Sequence, residues 1–254
     1  MSQDHLPRYA VYYALPRRNA LWALAQDWLG RDCETGRLRT PPKLEGWTAA
    51  ELAAATESPR HYGFHATLKA PFHLSPDCTL QQLRSSLSRF ALDQPSFTAP
   101  PLKVSAIGPF LALTFSEPAP AMETLAAEAV RDLDVLRAPL SEESVQRRLA
   151  KGLTPRQEAL LRRWGYPYVF EEFRFHMTLT GPLADRQKRE RLQEALAEYL
   201  ASALDQPTPV QEISLYSQAD THSPFMLEER FSLGVRDREE AADAESSDRG
   251  QAAL

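Results

Sequence analysis

Two stretches of this chain are nearly the same, and that duplication limits the possible folds more than any other feature. Phe64-His65-Ala66-Thr67-Leu68-Lys69-Ala70-Pro71-Phe72 and Phe175-His176-Met177-Thr178-Leu179-Thr180-Gly181-Pro182-Leu183 agree at five of nine positions. Each is followed by a helical apolar rhythm and then by the same five residues, Ala91-Leu92-Asp93-Gln94-Pro95 and Ala203-Leu204-Asp205-Gln206-Pro207. The offset is 111 residues at the histidines and 112 at the second landmark. Such agreement predicts two lobes of related architecture, since a solenoid needs three or more repeats.

The local patterns of the lobes match as well. Leu80, Leu83, Leu87 and Phe90 recur at helical spacing after the first motif, and Leu192, Leu196, Leu200 and Leu204 after the second. Extended pairs follow each Asp-Gln-Pro turn, Pro101 to Ile107 with Phe110 to Ser116, and Val210 to Ser217 with Phe225 to Gly234. These read as hairpins. Arg8 to Leu15 is a further strand and Ala20 to Leu29 a short helix, with Tyr12 and Tyr13 taken as packing residues. The fold class expected is α+β, with two pseudo-symmetric lobes, each a mainly antiparallel sheet with helices, around a central cleft.

A helical connection, about 119–168, is expected between the lobes. Met122 to Leu136 carries an apolar rhythm, and Thr154-Pro155-Arg156-Gln157 supplies an N-cap, a proline at the first helical position and a capping-box glutamine. Residues 1–235 thus form one bilobal domain, and 236–254, rich in Asp, Glu, Ala, Ser and Arg, are expected to be a disordered tail.

Composition removes several classes of function. The net charge is −5, from 29 Lys and Arg against 34 Asp and Glu, so no broad basic surface is available to track nucleic-acid backbone. Cys33 and Cys78 stand in neither redox nor zinc-ligand spacing. Neither a signal peptide nor an apolar run of membrane-spanning length is present, which predicts a cytoplasmic protein with no membrane partner. Glycine-rich nucleotide loops and the nucleophile elbow of a serine hydrolase are absent too.

The chemistry then rests on the motifs. In a strand, residues two apart share a face, so His65 projects with Thr67, and His176 with Thr178, Arg174 and Thr180. By the same parity Lys69 and His61 join the first face. Phosphodiester hydrolysis needs a base for water, an acid for the departing oxygen and donors for the nonbridging oxygens. Two imidazoles and two hydroxyls supply them, with no metal and no cofactor expected. Lys69 and Arg174 are candidate phosphate cations, and Arg60 a weaker one. The Arg147-Arg148 and Arg162-Arg163 pairs read as solvated helix faces.

At these residues the chain resembles the 2H phosphoesterase superfamily, whose members include cyclic phosphodiesterases and RNA 2′,5′ ligase-like proteins. The longer contexts, Tyr62-Gly63-Phe64-His65 through Phe72 and Phe173-Arg174-Phe175-His176 through Gly181, resemble the branch found in bacterial phosphonate-utilisation operons. The likeness runs from about Arg8 to Gly234. It implies two lobes around a cleft, His65 and His176 facing each other as acid and base, and Thr67 and Thr178 as phosphate ligands. That branch often carries a basic residue directly before Tyr-Gly-Phe-His, where this chain has His61 preceded by Arg60.

The reading expected is a cyclic phosphodiesterase-type hydrolase acting on a small phosphorylated substrate, a ribose cyclic phosphate linked to phosphonate metabolism. A second phosphate on the sugar should aid alignment. Two alternatives stay open, an RNA-end-processing 2H enzyme and a binding module for a nucleotide or phosphometabolite without turnover. Long nucleic acid fits poorly, and nothing in the sequence speaks to oligomeric state.

Overall fold

The computed structural model describes residues 6–150 and 152–234. The stretch expected to be a disordered tail lies outside the described residues. In chain order the strands are β1 Arg8–Tyr13, β2 Ala66–Phe72, β3 Phe97–Ala99, β4 Leu102–Ile107, β5 Phe110–Phe115, β6 Met177–Thr178, β7 Thr208–Val210, β8 Glu212–Gln218 and β9 Met226–Ser232. The helices are α1 Ala20–Leu29, α2 Ala49–Tyr62, α3 Leu80–Asp93, α4 Pro120–Asp132, α5 Glu142–Leu149, α6 Pro155–Trp164 and α7 Arg186–Leu204. Among the described residues, no helix is long and apolar enough to cross a membrane.

The α+β class is as expected, and the structure adds how the halves join. Seven strands form one sheet in the order β4-β5-β6-β2-β1-β8-β9, every neighbour antiparallel. The hairpin that follows the first motif, β4-β5, pairs with the second motif strand β6. The hairpin that follows the second motif, β8-β9, adds to β1 beside the first motif strand β2. Each motif thus borrows its flanking hairpin from the other half.

A pseudo-twofold relation is visible in the pairing itself. Ala66 sits opposite Met177, and Thr98 opposite Pro209. In both cases the partners differ by 111, the offset of the duplicated motifs. A twofold axis passing between antiparallel strands requires that equivalent residues face each other, and these do.

Helix formation follows the expected signals. Thr79 and Thr154 cap α3 and α6, each in a capping box with the glutamine three residues on. The buried stripes Leu83, Leu87, Phe90 on α3 and Leu192, Leu196, Leu200 on α7 join one continuous core. There they pack with Phe64, Met177 and Leu179, each 0% exposed. Burying each such side chain is worth roughly 1.5–3 kcal/mol. Helix α2 was not anticipated, because Leu52, Ala55, Thr56 and Pro59 give its buried face no strong apolar period. Its own capping box, Thr48 with Glu51, was the signal available.

Candidate active site

The backbone pairing sets the site. Strands β2 and β6 meet at Ala66 opposite Met177. His65 and His176 stand immediately before β2 and β6, and that antiparallel register extended one residue each way would set His65 across from Thr178 and Thr67 across from His176. The two histidines therefore occupy one diagonal of a four-residue square, and the two threonines the other. All four are half-buried, whereas Phe64, Ala66, Met177 and Leu179 beneath them are buried. Diagonal neighbours across a strand pair stand about 7–8 Å apart, enough for a tetrahedral group between the ring tips.

Both imidazoles are held in the same way. His65 Nδ1 lies 3.0 Å from the carbonyl oxygen of Gly63, and His176 Nδ1 lies 2.8 Å from that of Arg174. A carbonyl can only accept, so Nδ1 carries the proton and donates in each case. That leaves Nε2 outside the tether, with a lone pair when the ring is neutral and a proton when it is charged. Gly63 has φ of 78°, and a Cβ there would come within 2.8 Å of Cys33 Cβ. Only glycine gives the carbonyl this position without a collision.

The environments of the two rings differ. Tyr12 stacks on His65 with centroids 3.6 Å apart and planes 6° from parallel. Loss of hydration pushes the His65 pKa down to about 3, the nearby His176 adding to the fall and the Gly63 carbonyl opposing it. His65 is thus neutral at physiological pH. His176 sits near Phe110, its ring 5.9 Å away and tilted 53°.

Two adjoining cavities cover this face. One, of about 420 Å³, holds His65, Thr67 and Thr178 under Arg8, Arg148 and Tyr166. The other, of about 550 Å³, holds His176, Thr67, Phe110 and Arg174. Thr67, Tyr166 and Tyr168 line both, so the segment after α6 roofs the square. Among the described residues no carboxylate lines the first cavity, a local departure from the net negative charge of the chain. Burial pushes the Tyr166 phenol up to about 12, which keeps it protonated as a donor.

The six residues singled out from the sequence are therefore not all together. His65, Thr67, His176 and Thr178 converge, and Arg174 is exposed at the rim of the His176 cavity. Lys69 departs from the face shared by the histidines. The β1-β2 register slips by one residue at Leu68, from Tyr12 opposite Thr67 to Val11 opposite Lys69, so the alternation used to place it ends there. Its side chain is 3% exposed, and its ammonium donates to the Val130 carbonyl and pairs with Asp134 at 3.1 Å. Thr180 leaves the face for a similar reason, since β6 ends at Thr178 and its hydroxyl accepts from the Leu111 amide. Arg60 is also committed elsewhere, donating to the Leu29 carbonyl and the Thr56 hydroxyl. Replacing Lys69 by Met should lower the unfolding midpoint while changing kcat less than about threefold, because a buried ion pair is lost and no group beside the two histidines. A rate loss comparable to that of a histidine variant would put Lys69 back in the site.

Sequence reasoning missed Tyr12 as a support for His65, and missed Arg8, Arg148 and Tyr166 as cleft walls. Tyr12 was read as a packing residue of a strand whose sheet partner the sequence did not indicate. The arginines had no signal, being 140 residues apart.

A family described as "Protein of unknown function (DUF1045)" matches residues 67–226. Among curated proteins, "Ribose 1,5-bisphosphate phosphokinase PhnN" of Janthinobacterium sp. (strain Marseille) is 34% identical over 235 residues, 91% of this chain and 52% of that protein. The protein of the same name from Laribacter hongkongensis (strain HLHK9) is 36% identical over 220 residues, 87% of this chain and 50% of its own length. The chain spans about half the length of these curated relatives. Similar solved structures include E. coli LigT in apo form, with TM-score 0.40 and 14% identity over 90% of this chain and 98% of LigT. LigT complexed with NADP+ gives TM-score 0.38 and 16% identity, over 91% and 99%.

Proposed function

The chain belongs to the DUF1045 family, and on the geometry of its two motifs we propose that it hydrolyses a small cyclic phosphodiester by paired histidine acid-base catalysis. One observation carries this reading: both imidazoles are tethered through Nδ1 to a carbonyl two residues upstream, on diagonal corners of a square completed by two threonines. In-line displacement at phosphorus needs the entering and departing oxygens on opposite sides. Diagonal histidines meet that need and adjacent ones do not.

The steps follow from the tethers. His65, neutral, takes a proton from water on Nε2 as the water oxygen bonds to phosphorus. His176, protonated, gives its Nε2 proton to the ring oxygen as the P–O bond breaks, opening the cyclic ester to a phosphomonoester. The Thr67 and Thr178 hydroxyls donate to the nonbridging oxygens, whose charge grows in the transition state. One proton enters at His65 and one leaves at His176, so exchange with solvent resets the pair.

A ribose cyclic phosphate is the proposed substrate. The square has room for a single phosphate, the adjoining cavities have room for a sugar, and the curated relatives are named for ribose 1,5-bisphosphate. Their phosphokinase name fits this chain less well, as it has no glycine-rich phosphate loop. The test is hydrolysis of ribose 5-phosphate 1,2-cyclic phosphate against a cyclic-phosphate-terminated oligonucleotide at equal salt, followed by phosphorus NMR. The sugar phosphate should win in kcat/KM, before and after exhaustive chelation. Preference for the oligonucleotide, weakening steeply with salt, would move the protein to RNA-end processing; activity restored only by a divalent ion would replace the histidine mechanism.

A further inference from the structure

Beside the cavity over His65 lies a smaller one, of about 230 Å³, with which it shares Arg8, Pro71, Arg148 and Tyr166. The basic residues lining it are Arg8, Lys69, His73, Arg137, Arg147 and Arg148, and among the described residues no Asp or Glu lines it. In a chain with five more acidic than basic residues, this is a concentration of positive charge with a definite address. Asp134 answers Lys69 and Arg137 from behind, and Glu143 answers the exposed Arg147. Among the described residues no carboxylate pairs with Arg148, whose guanidinium donates to the Gly165 carbonyl. Arg148 is half-buried, and Arg8, Arg147 and Arg137 all bear on it with like charge. Arg8 donates to the Gln218 side-chain oxygen and lies against the Phe225 ring, and an anion between the Arg8 and Arg148 guanidiniums would add charge-assisted hydrogen bonds to these contacts.

We propose that this cavity binds a second phosphate of the substrate, a phosphomonoester carried on the same sugar as the cyclic ester, with Arg148 and Arg8 as its principal ligands. The assignment rests on the phosphodiesterase reading above for the identity of the substrate. Size supports a phosphate group in place of a whole second ligand, because drug-sized ligands need about 300–1,000 Å³. The shared wall supports one molecule reaching both cavities, since Arg8 and Arg148 face each of them. Guanidinium groups are suited to the task, offering paired N–H donors to two phosphate oxygens. The consequence is selectivity: remote binding energy at this cavity aligns the ester over the histidines, so a bisphosphorylated sugar is preferred to the singly phosphorylated one.

The test compares kcat/KM for ribose 1,2-cyclic phosphate with and without a 5-phosphate. Wild type should favour the 5-phosphorylated ester by roughly 100-fold or more, and Arg148→Gln should cut that ratio by at least about tenfold, with Arg148→Lys restoring part of it. Arg8→Gln should lower the same ratio and serves as the independent variant should Arg148→Gln fail to fold. An unchanged ratio in the folded variants, or no preference in wild type, overturns the proposal. Should neither ester be hydrolysed, the phosphodiesterase reading fails, and calorimetry decides the cavity separately. Ribose 5-phosphate should then bind wild type and His65→Ala alike and bind Arg148→Gln at least about tenfold more weakly. Absent binding, binding indifferent to Arg148, or inorganic phosphate bound as tightly as the sugar phosphate each overturns it.

Discussion

His65→Ala and His176→Ala are each expected to lower kcat on the true substrate by about 10²- to 10⁴-fold, with unfolding midpoints measured alongside. Thr67→Val and Thr178→Val should cost less, since each removes one donor and leaves the proton transfers in place. The two histidine variants should separate on a phosphodiester with p-nitrophenolate as leaving group. That group departs without a proton, so His176→Ala should recover much of its rate there and His65→Ala should not. The free enzyme should also hold its kcat/KM down to about pH 5 on the acid side, because burial under Tyr12 sets His65 far below the ordinary imidazole value of about 6.5. Near wild-type turnover in either alanine variant would remove the paired-histidine mechanism altogether.

The second large effect is on stability. His65 has a folded pKa of about 3 against an unfolded value near 6.5, so between those limits the unfolded chain binds the extra proton. The contribution of the neutral ring is fully present above about pH 6.5 and is lost as pH falls toward 3, at up to about 1.4 kcal/mol per pH unit. Wild type should therefore lose about 2 kcal/mol more than His65→Gln between pH 7 and pH 5, read from urea midpoints. The difference between the two proteins cancels other titrating groups. Parallel pH profiles would mean that His65 is hydrated and titrates as a free imidazole, and the assignment of the base would then lose its electrostatic support.

The polar face of the motif strands was legible because alternation is a local property. His65 with Thr67, and His176 with Thr178, follow from period two as long as the strand is regular. The duplication went further, since an offset of 111 already implied equivalent positions, and Ala66 opposite Met177 is what a twofold between antiparallel strands produces. Hairpin positions, the capping box of α6 and the leucine stripes of α3 and α7 were local signals too.

Tertiary packing decided everything that depends on which distant segment arrives. Alternation gives a side of the sheet and no partner, so the exchange of hairpins between the halves, which joins all seven strands, had no sequence signal. A single register slip at Leu68 sent Lys69 to Asp134, although its parity matched that of His65. Adjacent residues on a helix point about 100° apart, which is why Arg147 is exposed and pairs with Glu143 while Arg148 is half-buried and donates to the Gly165 carbonyl, although both line the smaller cavity. The sequence by itself thus determined which side chains share a face, through spacing along one strand or helix. Only the tertiary structure decided what each meets there, because Tyr12 over His65 and Arg8 beside Arg148 are contacts set by how distant elements pack.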